Sequence, residues 1–142
     1  MTDTAARTDV LRDAMHAAVT GDEALTERVY TEDVTGWSPA TEVSSRDELT
    51  ADQRGRSGAF SDVDVVLDPV EAVGDKLIAE WRVAATHTGV LALDEDVEVE
   101  PTGRRLELRG VLIAEFEGGR IRSFRQYWNE VELIDGLGLL PV

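Results

Sequence analysis

The stretch that decides the fold runs from Pro101 to Pro141: PTGRRLELRGVLIAEFEGGRIRSFRQYWNEVELIDGLGLLP. Residues 104–117 read as a long strand, and Gly118-Gly119 form a two-residue hairpin turn. Residues 120–130 read as the returning strand, and Val131, Leu133, Ile134, Leu137 and Leu140 form a short apolar closing segment. Centring the hairpin on the two glycines sets Asn129 opposite Leu108 and Tyr127 opposite Gly110. One face then carries Asn129, Tyr127, Arg125, Leu108, Leu112, Ala114 and Phe116. The other carries Trp128, Gln126, Phe124, Val111, Ile113 and Arg109. A half-solvated antiparallel sheet alternates cleanly between apolar and polar, and neither of these faces does. A sheet covered on both sides is expected, by the chain's own helices on one and by a second copy of the chain on the other.

Working outward from this hairpin, residues 61–73 and 76–90 are two more strands, joined at Gly74-Asp75 with the glycine first, as a II′ turn prefers. The acidic connection LALDEDVEVE and the turn Glu100-Pro101-Thr102-Gly103 lead into the strand at 104. Upstream the period changes. Val10, Leu11, Ala14, Met15, Ala18 and Val19 recur at helical spacing over residues 8–20, and Gly21 stops that helix. Asp22 is the candidate N-cap of a second helix. A short extended piece, Val34 to Ser38, follows. Ser45-Arg46-Asp47-Glu48 fits a capping box for a third helix. Helices first and a meander of long strands afterwards predict an α+β domain spanning 1–142, with helices packed on one face of a curved antiparallel sheet.

Composition narrows the function classes. With 142 residues the chain has the length of one domain. It has no cysteine, which excludes disulfides and thiolate chemistry. A net charge of −15 argues against nucleic acid and against anionic membranes. No apolar run is long enough for a membrane span, and the polar, acidic N-terminus lacks the pattern of a secretory signal. A cytoplasmic location is expected. Thirteen arginines accompany one lysine, Lys76. That bias fits a high-GC genome, and with 29 acids it also fits a protein kept soluble in high salt by its acidic surface. Folding stability in low and molar KCl separates the two. Two histidines and no cysteine make zinc a poor fit, Asp94-Glu95-Asp96 lacks the glycine of a calcium loop, and no glycine loop leads a helix as phosphate binding requires.

Trp81-Arg82, Thr86-His87-Thr88-Gly89, Pro101-Thr102-Gly103-Arg104-Arg105, Arg109-Gly110, Gly118-Gly119-Arg120-Ile121, Tyr127-Trp128 and Leu137-Gly138 stand in this order along the chain. In order and spacing the chain resembles the SnoaL-like polyketide cyclase group of the nuclear-transport-factor-2-like superfamily, over nearly its whole length. The resemblance implies a cone-shaped α+β barrel, usually dimeric, with a deep apolar pocket between sheet and N-terminal helices. It also implies cofactor-free and metal-free aldol ring closure, with a carboxylate at the end of the last strand as acid–base group. That position matches Asn129 here. A carboxamide cannot take the proton that a carboxylate takes, but it can donate a hydrogen bond to an enolate or carbonyl oxygen. Other members of the superfamily isomerise ketosteroids or open epoxides.

The remaining candidates follow from residue type and position. His87, where a strand runs out, suits proton shuttling, or it is a histidine bonded to a neighbour. Glu80 and Glu115 sit mid-strand among apolar residues, where a buried carboxylate becomes a plausible base. Arg82, two residues from Glu80, and Arg122, opposite Glu115, offer ion pairs as the plainer alternative. Trp37, Trp81, Tyr127 and Trp128 are apolar bodies with polar handles: Trp37 suits a pocket entrance and Tyr127 a substrate contact, while core packing is the plainer alternative for each and the reading preferred for Trp81 and Trp128. Three functions stay open: a cofactor-free cyclase, isomerase or lyase acting on a small apolar carbonyl compound; a ligand-binding module of the same fold; and a dimeric scaffold.

Overall fold

The computed structural model describes residues 4–140. Met1–Asp3 of the polar N-terminus and Pro141 of the apolar tail lie outside the described residues. The elements are α1 (Thr4–Thr20), α2 (Glu23–Val29), β1 (Tyr30–Trp37), β2 (Glu42–Val43) and α3 (Arg46–Gln53) with a closing turn at Arg54–Arg56. Then come β3 (Phe60–Val73), β4 (Lys76–His87), β5 (Leu91–Ala92), β6 (Glu98–Val99), β7 (Arg105–Glu117), β8 (Arg120–Trp128) and α4 (Glu130–Gly136). No helix is long and apolar enough to cross a membrane.

Local chemistry sets the helix ends. The Asp22 carboxylate accepts from the Leu25 amide at 3.1 Å and starts α2. The Ser45 hydroxyl accepts from the Glu48 amide at 3.1 Å and starts α3. Glu48 reaches back to the Ser44 amide at 2.7 Å, the reciprocal half of the cap displaced by one residue. That amide, and then the Ser44 hydroxyl, hold the Glu48 carboxyl below its usual range.

Six strands form one curved sheet in the order β2-β1-β8-β7-β4-β3. All neighbours are antiparallel except β1 and β8, which run parallel. The sheet is α+β in kind, as expected, and does not close on itself. Its inner face packs on the helices through Leu11, Met15, Leu49, Trp81, Leu112 and Phe124. A smaller cluster of Ala59, Leu91, Val99, Leu106 and Leu137 joins the β5–β6 hairpin and α4 to the main sheet. The acidic connection is therefore not wholly a solvated loop: its ends pair as β5 and β6 and bury Leu91 and Val99, while its acids face water. The long edge strand β3 resists further pairing. It has register shifts at Ser61/Asp64 and Leu67/Val70, a proline at 69 and outward Asp64, Asp68 and Glu71.

The expected register of the last hairpin needs correction. Glu117 pairs with Arg120 and Phe116 with Ile121, but Glu115 then pairs with Ser123, and the shift persists to Gly110 opposite Trp128. Arg122 is the extra residue of a β-bulge, which flips the faces beyond it. Tyr127 thus faces Val111, not Gly110. Phe124, Gln126 and Trp128 join Leu108, Leu112, Ala114 and Phe116 on the inner face. Arg125 and Tyr127 join Arg109, Val111, Ile113 and Glu115 on the outer one. The mixed character of both faces came largely from this one-residue slip.

Candidate functional site

A cavity of about 400 Å³ opens between the sheet and the helices. Its floor is the inner sheet face: Trp81, Val83, Leu108, Phe124, Gln126 and Trp128. Met15, Ala18 and Val19 of α1 and Leu49 of α3 roof it, and Leu91, Leu133 and Ile134 narrow one side. The exposed lining residues Ala40, Asp94 and Glu130 mark the mouth.

Few polar groups reach this space, and most are already engaged. The Trp81 side chain is only 4% exposed, and its Nε1–H has no hydrogen-bond partner. The indole packs against Gly110, where a Cβ would come within 2.5 Å of its Cζ2. The Gln126 carboxamide meets only the weak acceptor Sδ of Met15, at 3.6 Å. Tyr30 tilts against Phe124 with ring centres 5.6 Å apart. Burial pushes its hydroxyl well above the ordinary tyrosine range, against a smaller opposing pull from Arg56. Tyr30 is therefore a protonated donor at neutral pH and not a base. Asp52 and Arg56, one turn apart, form an ion pair at 3.1 Å with about a third of each side chain exposed. Gln53 turns away and accepts from the buried Thr26 hydroxyl at 2.7 Å.

None of the seven residues singled out in the sequence lines this cavity. Glu80 and Arg82 project from the outer face of β4 and are exposed, because strand alternation sends Trp81 and Val83 inward. Glu115 is on the same outer face, bridged to Arg122 at 3.1 Å and Lys76 at 3.5 Å. Trp37 and Tyr127 tilt against each other on the outer face of the sheet, with ring centres 5.2 Å apart, planes inclined by 51° and exposures of 39% and 45%. Asn129 caps α4, its Oδ1 accepting from the Val131 amide at 2.9 Å. His87 points inward at the far end of β4 and is fully buried. Its Nδ1 accepts from the Thr102 amide at 3.1 Å and lies 3.0 Å from the Thr102 hydroxyl. Because an amide donates to Nδ1, the ring proton is on Nε2, which has no partner. The structure thus brings Trp37 to Tyr127 and Glu115 to Arg122, but does not gather the seven.

The cavity-lining Tyr30, Asp52, Arg56 and Gln126 were not candidates, and Trp81 read as core packing. For Gln126 a signal existed: it is a polar residue in the apolar phase Phe124–Gln126–Trp128, which becomes visible once the bulge is placed. Asp52 and Arg56 carry only the spacing of an ordinary helix-surface pair. Among the described residues no group of three His, Asp or Glu converges as metal ligands would.

Similar proteins agree with this architecture. TsrD from Streptomyces laurentii superposes with a TM-score of 0.76 at 19% identity, covering 99% of this chain and all of TsrD (100%). AclR from Streptomyces galilaeus has a TM-score of 0.75 at 26% identity, covering 99% of this chain and 85% of its own. An LEH-like epoxide hydrolase of M. tuberculosis has a TM-score of 0.68 at 14% identity, covering 96% and 92% of the two chains. None of the curated proteins matches the sequence. The SnoaL-like domain model matches residues 11–124, from the first helix through Phe124 on the cavity floor. The chain belongs to the SnoaL-like domain family, within the nuclear-transport-factor-2-like fold.

Proposed function

We propose that the cavity receives a small, largely apolar molecule bearing a carbonyl oxygen, and that the protein processes it by cofactor-free proton transfer, as a cyclase, isomerase or lyase. The observation that carries this reading is a largely apolar cavity whose floor residue Trp81 keeps a buried Nε1–H without a partner. An unsatisfied buried donor costs about 1–3 kcal/mol, and a ligand oxygen would offset that cost. Gln126, whose thioether contact is easily exchanged, supplies a second donor, and protonated Tyr30 a third. Donors set around one oxygen stabilise the charge that develops when a neighbouring C–H loses its proton. In this mechanism Asp52 accepts the proton and the enolate charge rests on the oxygen held by Trp81 and Gln126. Asp52 returns the proton to the product. His87, fixed to the Thr102 turn, and Asn129, at the start of α4, support the walls.

A second reading, a binding module without turnover, is favoured by the 3.1 Å Asp52–Arg56 pair, which matches the charge of the proposed base. The readings separate with cyclic 1,3-diketone probes, followed by tryptophan fluorescence for binding and by NMR for α-proton exchange. Trp81→Phe weakens binding by about tenfold, one lost hydrogen bond's worth. Asp52→Asn keeps binding and abolishes exchange. Exchange unchanged in Asp52→Asn removes that residue from the mechanism, and binding without exchange in the wild type leaves the module.

The outer face supports a homodimer through the sheet. The exposed Trp37–Tyr127 pair lies beside Val111 and Ile113, among Arg82, Arg109 and Arg125 and the acids Glu80 and Glu107. A two-fold contact would set the apolar patches together and opposite charges across from each other. A monomer mass by light scattering at micromolar concentration would sink this assembly.

A further inference from the structure

We infer that the mouth of the cavity selects by charge: it admits neutral or cationic molecules and turns away carboxylates and phosphates of the same shape. This deepens the pocket reading above and rests on it. Among the described residues the cavity lining holds three carboxylates, Asp52, Asp94 and Glu130, and a single cation, Arg56. Arg56 is already committed. Its guanidinium bonds the Asp52 carboxylate at 3.1 Å and donates through Nε to the Ala18 carbonyl. Among the described residues no free positive group therefore lines the mouth for an anion, and Asp94 and Glu130 have no ion-pair partner there.

Asp94 is fixed at the rim by its own turn, Oδ1 accepting from the amides of Asp96 at 2.8 Å and Val97 at 3.0 Å. Glu130 lines the same cavity from the first turn of α4. The same two elements also carry Glu95, Asp96 and Glu98 (β5–β6 hairpin) and Glu132 and Asp135 (α4), in a chain whose net charge is −15. Arg109 reaches Glu132 at 3.5 Å, outside the cavity lining. The inner end has the opposite preference. Trp81, which lines the cavity floor, carries a buried Nε1–H without a partner, and an acceptor there would satisfy it. The ligand is thus oriented: an oxygen acceptor at the floor, an apolar body along Val83, Leu108 and Phe124, and an uncharged or ammonium end at the rim. A free molecule fits this description. A carboxylic acid, or a conjugate carrying phosphates near the mouth, does not.

Matched probes test the inference: 2-acetylnaphthalenes bearing a methoxy, an aminomethyl or a carboxylate group at the far ring position. Dissociation constants are measured in low salt and in molar KCl. At low salt the carboxylate should bind roughly tenfold or more weakly than the methoxy probe, and the gap should close in molar KCl, where screening acts within about 3 Å. The Asp94→Asn, Glu130→Gln double variant, which keeps the Asp94 turn, should close much of the gap in low salt. A remote pair on β3, Asp64→Asn with Glu71→Gln, should leave it open. Equal binding of all three probes, or a gap that the mouth variant does not reduce, overturns charge selection while the pocket reading stands. Failure of every probe to bind overturns both.

Discussion

Gly110→Ala tests how the floor of the cavity is built. A Cβ at Gly110 would collide with the Tyr127 carbonyl oxygen and lie 2.5 Å from Trp81 Cζ2 and 2.7 Å from Cε2. All three are shorter than real carbon contacts. Neither obstacle is the loose end of a flexible chain: one is the backbone of β8, the other an indole that is 4% exposed. The strand must bow or the indole must rotate. Overpacking of this kind costs about 2–3 kcal/mol, which lowers Tm by about 6–10 °C for a chain of this size. Urea unfolding followed by far-UV circular dichroism measures the loss, and the near-UV tryptophan band reports indole rotation. Because that rotation carries Nε1 away, the variant should also bind diketone probes more weakly than the wild type under conditions where both are folded. In a Trp81→Leu background the penalty should shrink without vanishing, since the Tyr127 carbonyl remains; close neighbours couple in this way. A Gly110→Ala protein within about 0.5 kcal/mol of wild type, the range of an ordinary surface substitution, would refute the reasoning.

Tyr30 makes stability fall at alkaline pH. Its folded-state pKa is raised by burial. Below the unfolded value of about 10 both states keep the proton. Above it only the unfolded chain releases the proton, so stability drops as pH rises. Tyr30→Phe should flatten the decline of the urea midpoint above about pH 10, and parallel slopes in the two proteins would contradict it. Asn129→Ala should cost about 1 kcal/mol through loss of the α4 cap, whereas Asn129→Asp, an equally good cap, should cost almost nothing. Amide exchange at Val131 and Glu132 reports the fraying, and equal protection in Asn129→Ala and wild type would remove Asn129 from that role.

Much of the fold was legible because its signals are local. Asp22 and Ser45 cap helices through amides a few residues away. Gly74 and Gly118-Gly119 have positive φ in two-residue hairpins. The resemblance rested on similar short motifs, and its glycines have physical reasons: Gly110 makes room for the indole, and Gly89 lies so close to the Gly58 carbonyl that no side chain fits. The candidate site was far less legible. Side-chain direction in a strand has period two, so one unseen bulge at Arg122 sends Tyr127 out and Gln126 in. Asn129, read as the last polar group of a strand, is the first cap of a helix, and no neighbouring residue distinguishes these roles in the sequence.

The sequence by itself determined the main helices and strands, the turns, the capped starts of α2 and α3 and the family, since each depends on residues within a turn or two of one another. Only the tertiary structure decided which residues share the cavity. Tyr30 and Asp52 reach it from the N-terminal half, and Trp81 and Gln126 from strands separated by β7. Their meeting depends on strand register and on how the helices seat across the sheet. Both are set by the packing of the whole core, and no short stretch of sequence encodes them.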